Sequence, residues 1–158
     1  MCSSDLVEKV KALVYVAALA PDEGETVADV FTRGTPHPRA PKLAPDTHGL
    51  MYLPEAAFAA AFAQNASKED LAVLAAVQRP ISPACITVRV ARPLWKDRPA
   101  WFLVAEQDRM IVEDNHRFMA ERMKARIRSH PVDHTPLVTA PSTVVDIIRE
   151  AIGEVVKG

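Results

Sequence analysis

The chain has 158 residues, 49% of them hydrophobic and 25% charged, with a formal net charge of -1. That balance describes one soluble globular domain and excludes a disordered chain or one that binds nucleic acid. The longest apolar run, Ala12 to Ala20, is about half of what a bilayer crossing needs, so no membrane span is expected.

In chain order, the first element predicted is a strand over residues 12–20, "ALVYVAALA", ended by the turn Pro21-Asp22-Glu23-Gly24. Its apolar residues are continuous rather than alternating, which suits a parallel strand covered by helices on both faces. Residues 32–54 are proline-rich, and two helical patterns follow, "PEAAFAAAFAQN" and "SKEDLAVLAAVQ", the second opened by Ser67 and Asp70 in the manner of a capping box. A proline-punctuated return over residues 79–95 leads to a second continuous strand, "AWFLVAE", residues 100–106.

The last third alternates. A helix is predicted over residues 112–126, with Val112, Phe118, Met119 and Met123 near one stripe, acids early and bases late to complement the helix dipole. A third strand, residues 125–132, alternates Ile127 and Ser129 with Arg126, Arg128 and His130 and contains Pro131, the pattern of an edge strand. The final helix starts at Pro141 and aligns Val144, Ile148, Ala151 and Val155. Strand, helix, strand, helix is the tail of a doubly wound α/β sheet. The roughly seventy residues between the first two strands far exceed a crossover helix, and are expected to form a lid or cap over the strands' carboxyl ends.

Two residues stand where such folds place their chemistry. Asp108 follows the second strand and His134, in "VDHTPLV", follows the third; in a parallel sheet those ends are neighbours. Taken singly, Asp108 reads as a turn or capping aspartate and His134 as a solvated loop histidine. Taken together they favour an acid and base pair, the carboxylate fixing the imidazole tautomer.

The segments "VKALVYVAALAPDEGE", "VLAAVQRPIS", "PAWFLVAEQDRMI" and "VDHTPLV" resemble, in that order, the carboxyl-terminal half of an α/β-hydrolase. The similarity is to the esterase-like branch that also holds the plant methyl-ester esterases and hydroxynitrile lyases. The resemblance implies Asp108 as triad acid, His134 as triad base and a helical cap between the sixth and seventh strands. The expected layout is therefore a partial α/β-hydrolase core over residues 7–21 and 95–158 and a cap over residues 22–94.

One departure is large: such enzymes carry their serine in a G-x-S-x-G turn upstream of the acid and base, and none of Gly24, Gly34, Gly49, Gly153 and Gly158 brackets a serine. Ser67, Ser82 and Ser129 fall in a cap helix start, a cap loop and an edge strand, and Cys85 has no elbow around it. The opening "MCSSDL" matches nothing in the family, and Cys-Ser-Ser-Asp-Leu is what a common sequencing adapter encodes in one frame; residues 1–6 are expected to be a non-native leader on a truncated reading frame.

The expected function is thus a fragment of a hydrolase of small carboxylic esters, supplying acid, base and cap, and inactive alone. A non-catalytic ligand- or partner-binding module and a hydroxynitrile-lyase-like enzyme stay open as alternatives. The unpaired side of the first strand is expected to drive self-association or complementation. No cofactor is expected, and the spacing of His37, His48, His116 and His130 fits no metal site. Cys2 and Cys85 are too few and too far apart for a disulfide framework, and no basic segment followed by an apolar one and a cleavage site opens the chain; a cytoplasmic protein is expected.

Overall fold

The computed structural model describes residues 8–156, so the expectation about residues 1–6 lies outside the described residues. Three parallel strands form the sheet: β1 (Leu13–Val16), β2 (Ala100–Ala105) and β3 (Arg126–His130), in the order β1-β2-β3. Leu13 pairs with Ala100 and Trp101 with Arg126. This is the parallel sheet flanked by helices that the sequence leads one to expect.

The unbroken apolar run of β2 has a direct cause: all six residues are buried, and both faces are covered. Phe102 and Val104 pack with Met119 and Ala120 of α5 (Glu113–Arg122), while Trp101 and Leu103 pack with Val144, Ile147 and Ala151 of α7 (Pro141–Val155). At the sheet edge, β3 alternates, and its exposed Arg126 and Arg128 pair with Glu154 and Glu150 of α7. Charges on a strand with one neighbour discourage edge-to-edge pairing.

Three expectations change in detail. β1 is shorter than the apolar run because Ala17, at φ 44°, leaves the extended region and ends the strand at Val16. The buried stripe of α7 runs through Val144, Ile147 and Ala151, with Ile148 at 40% exposure; the phase is set by which residues meet Trp101 and Leu103, not by hydrophobicity alone. On α5 the buried face includes two polar residues, Asn115 and His116, beside Met119 and Ala120.

Between β1 and β2 runs an excursion of short helices tied down at both ends. Near its start, α1 (Val27–Phe31) opens with a capping box between Thr26 and Asp29, and Arg122 of α5 bridges both Glu25 oxygens and donates to the Ala20 carbonyl. Further on, α2 (Glu55–Ala57) widens into a π-helical turn over Phe58–Phe62, followed by α3 (Lys68–Val77) and α4 (Ala84–Thr87). Ser67 caps α3 by accepting from the Asp70 N–H, as expected, but the Asp70 carboxylate accepts from the Ser67 hydroxyl instead of the backbone. A one-turn 3-10 segment, Leu94–Lys96, buries Trp95 and delivers the chain to β2; α6 (Pro136–Thr139) links β3 to α7.

Candidate active site

Asp108 is placed by the end of β2. The strand stops at Ala105, whose carbonyl accepts from the Asp108 N–H at 3.2 Å, and the tight turn points the carboxylate inward, 4% exposed. Its Oδ1 accepts from the N–H groups of Met110 at 2.7 Å and Ile111 at 2.9 Å, the start of the approach to α5. Those bonds leave Oδ2 for side-chain partners.

His134 arrives from the neighbouring strand. Because β2 and β3 are parallel, their carboxyl ends lie together, and the Glu106 and Gln107 N–H groups donate to the His130 and Val132 carbonyls, carrying the pairing into the loops. His134 Nδ1 then sits 2.7 Å from Asp108 Oδ2. Donation by Nδ1–H to the carboxylate leaves Nε2 as the acceptor on a ring that is 18% exposed. Its other boundary is Phe62 of the π-helical turn, with ring centroids 5.2 Å apart.

Two further polar residues complete the geometry. Asp133, fully buried, accepts from the Thr135 N–H at 3.0 Å and the Thr139 hydroxyl at 2.6 Å through Oδ1, and from the Asn65 N–H at 3.0 Å through Oδ2. It therefore joins the His134 loop to the excursion, helped by the Thr135 hydroxyl donating to the Phe62 carbonyl at 2.6 Å and Gln64 Nε2 donating to the Gln107 carbonyl at 2.7 Å. His116 lies beneath Asp108, fully buried, with Nδ1 accepting from the Ala105 N–H at 3.3 Å and Nε2 3.4 Å from Asp108 Oδ2. Burial pushes its pKa down to about 4, against the pull of the Asp108 and Glu113 carboxylates and aided by His134, so near neutrality the ring is uncharged and the contact is not an ion pair.

The sequence reading brings Asp108 and His134 together but not these supporting residues. From the sequence His116 is one of four histidines whose spacing fits no metal site, and Asp133 carries no assignment. Their role rests on burial against long-range partners, for which the sequence offers no periodic signal. The remaining nucleophile candidates lie as expected: Ser67 caps α3, Ser82 accepts from the Ala84 N–H in a loop, Ser129 in β3 is engaged by Glu106 and Arg117, and Cys85 on α4 is exposed.

An apolar cavity of about 380 Å³ is bounded by Met51, Leu53, Phe58, Phe62, Leu74 and Met110 among others; neither Asp108 nor His134 lines it. Phe62 is shared between the cavity wall and the His134 contact. A larger hollow of about 840 Å³ lies between Arg33–Pro38 and α5, and unlike the first it contains neither Phe62, which packs on His134, nor Met110, whose N–H donates to Asp108.

The model of the Alpha/beta hydrolase family matches residues 2–147, a span that includes residues 2–6 of the opening read from sequence as matching nothing in the family. The chain belongs to that family. Among solved structures it is similar to polyneuridine aldehyde esterase, with 16% identity over 90% of this chain and a TM-score of 0.69. It is likewise similar to a methylesterase from Arabidopsis, with 14% identity over 94% of this chain and a TM-score of 0.71. A pyrethroid hydrolase from Sphingobium faniae gives 18% identity over 90% and a TM-score of 0.75. At these identities the likeness is one of fold. The chain spans only 62%, 61% and 61% of those three proteins. No curated protein matches it. No helix among the described residues is long and apolar enough to cross a membrane.

Proposed function

We propose that this chain supplies the acid, the base and the cap of a hydrolase that acts on small carboxylic esters through a serine nucleophile. The observation that carries the proposal is the 2.7 Å contact between His134 Nδ1 and the buried Asp108 Oδ2 at the carboxyl end of the sheet. In the proposed reaction His134 Nε2 takes the proton of a serine hydroxyl as the oxygen attacks the ester carbonyl. It returns that proton to the departing alcohol, then activates the water that releases the acid. Asp108 keeps Nδ1 protonated and stabilises the imidazolium formed in each half. The serine and the oxyanion-hole donors would come from a complementary segment carrying G-x-S-x-G, since no such turn occurs in this sequence.

The same proposal makes residues 22–94 the cap, because this stretch holds most of the apolar cavity wall and meets His134 through Phe62. A wall of aliphatic and aromatic side chains suits an ester whose acyl or alcohol part is apolar. The complementary segment would cover the free side of β1 and the exposed Val145, Ile148 and Ile152 of α7, which packs against β1 and β2. A cytoplasmic setting, with Cys85 reduced, belongs to this proposal.

A fluorophosphonate probe tests it. With the complementary segment present, the label is expected on that segment's serine and to depend on His134; labelling of the bare chain would show that the nucleophile lies among its own residues and overturn the proposal.

A further inference from the structure

The polar residue beneath the acid has no part in the proton transfers above. His116 is fully buried on α5, where the neighbouring core positions Met119 and Ala120 are apolar. Its ring packs against Phe102 at 5.7 Å between centroids, and Phe102 in turn stacks on Tyr15. A leucine or phenylalanine would fill that space without burying two polar nitrogens, so packing alone gives no reason for an imidazole.

Its nitrogens are oriented by the backbone. The Ala105 N–H donates to Nδ1, which places the ring proton on Nε2. That Nε2 is buried without a hydrogen-bond partner and lies 3.4 Å from Asp108 Oδ2, the same oxygen that faces His134 and the polar atom toward which a small shift would direct its proton. Asp108 Oδ1 is already held by two N–H groups, so the freedom left to the carboxylate is the position of Oδ2. We propose that His116 is a positioning residue: its Nε2–H confines Asp108 Oδ2 in line with His134 Nδ1, acting on the base only through the acid. The inference rests on the proposed pairing of Asp108 with His134. The titratable groups facing His116 are Asp108, His134 and Glu113, and its burial keeps it uncharged, so it confines Oδ2 as a dipole without competing with the imidazolium for the carboxylate charge.

The test is the exchange of the His134 Nδ1 proton with water, followed by NMR in the full chain labelled with nitrogen-15 histidine. His116→Phe keeps the ring shape and removes both nitrogens; His116→Gln offers an amide oxygen to the Ala105 N–H and an amide N–H to Asp108. Exchange is expected to be about tenfold faster in His116→Phe and within about twofold of the parent in His116→Gln, because opening of the pair governs exchange. A space-filling role would favour the phenylalanine variant or leave both alike. Equal exchange in the parent and His116→Phe, equally fast exchange in both variants, or no protected Nδ1 proton in the parent would overturn the inference. Should His116→Phe not fold, His116→Leu carries the same contrast. Failure of a completed protein to hydrolyse esters would overturn the hydrolase proposal and leave these rates standing.

Discussion

Lowering the pH should destabilise this fold before its carboxylates protonate, and one residue supplies the reason. His116 has a pKa of about 4 in the folded chain against an ordinary 6.5, because burial disfavours its charged form. The unfolded state therefore binds a proton that the folded state refuses. The stability contributed is fully present above about pH 6.5 and falls away as the pH drops toward 4. Each pH unit of that gap is worth about 1.4 kcal/mol, so the whole contribution is about 3 kcal/mol, with about 2 kcal/mol lost between about pH 7 and about pH 5. Against a typical domain stability of about 5–15 kcal/mol that is a large fraction. The acids with displaced values, Asp22, Glu25, Asp29 and Asp97, all lie below their ordinary 3.8 or 4.5, so their contributions are lost only at lower pH. Urea unfolding followed by far-ultraviolet circular dichroism at intervals across that range measures the effect, and His116→Gln should flatten it. Equal stability at both ends of the range, or the same slope in the variant, would refute the burial argument.

Asp133→Ala strands two donors, the Asn65 and Thr135 N–H groups, and leaves the Thr139 hydroxyl only the Thr135 carbonyl, and should cost about 3 kcal/mol by urea titration. A loss under about 1 kcal/mol would show that the Asn65 link does not hold the excursion to the His134 loop. Arg122→Met removes the bonds to Glu25 and Ala20 and the guanidinium lying 4.9 Å from the Phe118 ring; about 2 kcal/mol should be lost, with proteolysis first cutting near residues 20–33. In a completed protein, Phe62→Ala should raise KM for an apolar ester about tenfold with a smaller change in kcat; a kcat effect alone would assign Phe62 to His134 and not to the cavity.

What the sequence made legible follows periodicity and topology. The unbroken run of β2 reported burial on both faces, the alternation of β3 reported an edge, and the parallel order alone brought Asp108 and His134 to adjacent strand ends. The end of β1 was not legible, because a left-handed Ala17 leaves no mark in an apolar run. Nor was the phase of α7, where Ile147 and Ile148 are chemically alike and only the partners Trp101 and Leu103 distinguish them. The widening of the helix at Phe58–Phe62 goes with contacts of Phe62 and Gln64 to the loops around Thr135 and Gln107, and a helical pattern rich in alanine and phenylalanine does not announce it. His116 and Asp133 were the hardest to read: a single histidine or aspartate is expected to be solvated, whereas here His116 is buried with Nδ1 accepting from the Ala105 N–H and Asp133 is buried among three donors, one of them the Asn65 N–H across the excursion.

The central claim is that Asp108 and His134 are the acid and base of a serine hydrolase whose nucleophile lies on another segment. Its most direct measurement is hydrolysis of a short-chain p-nitrophenyl ester by this chain alone and by the chain joined to a complementary segment that carries G-x-S-x-G. The account predicts turnover in the completed protein alone, with kcat falling about 10⁴-fold or more on His134→Ala. Equal turnover by the bare chain, or a completed enzyme indifferent to His134→Ala, would contradict it.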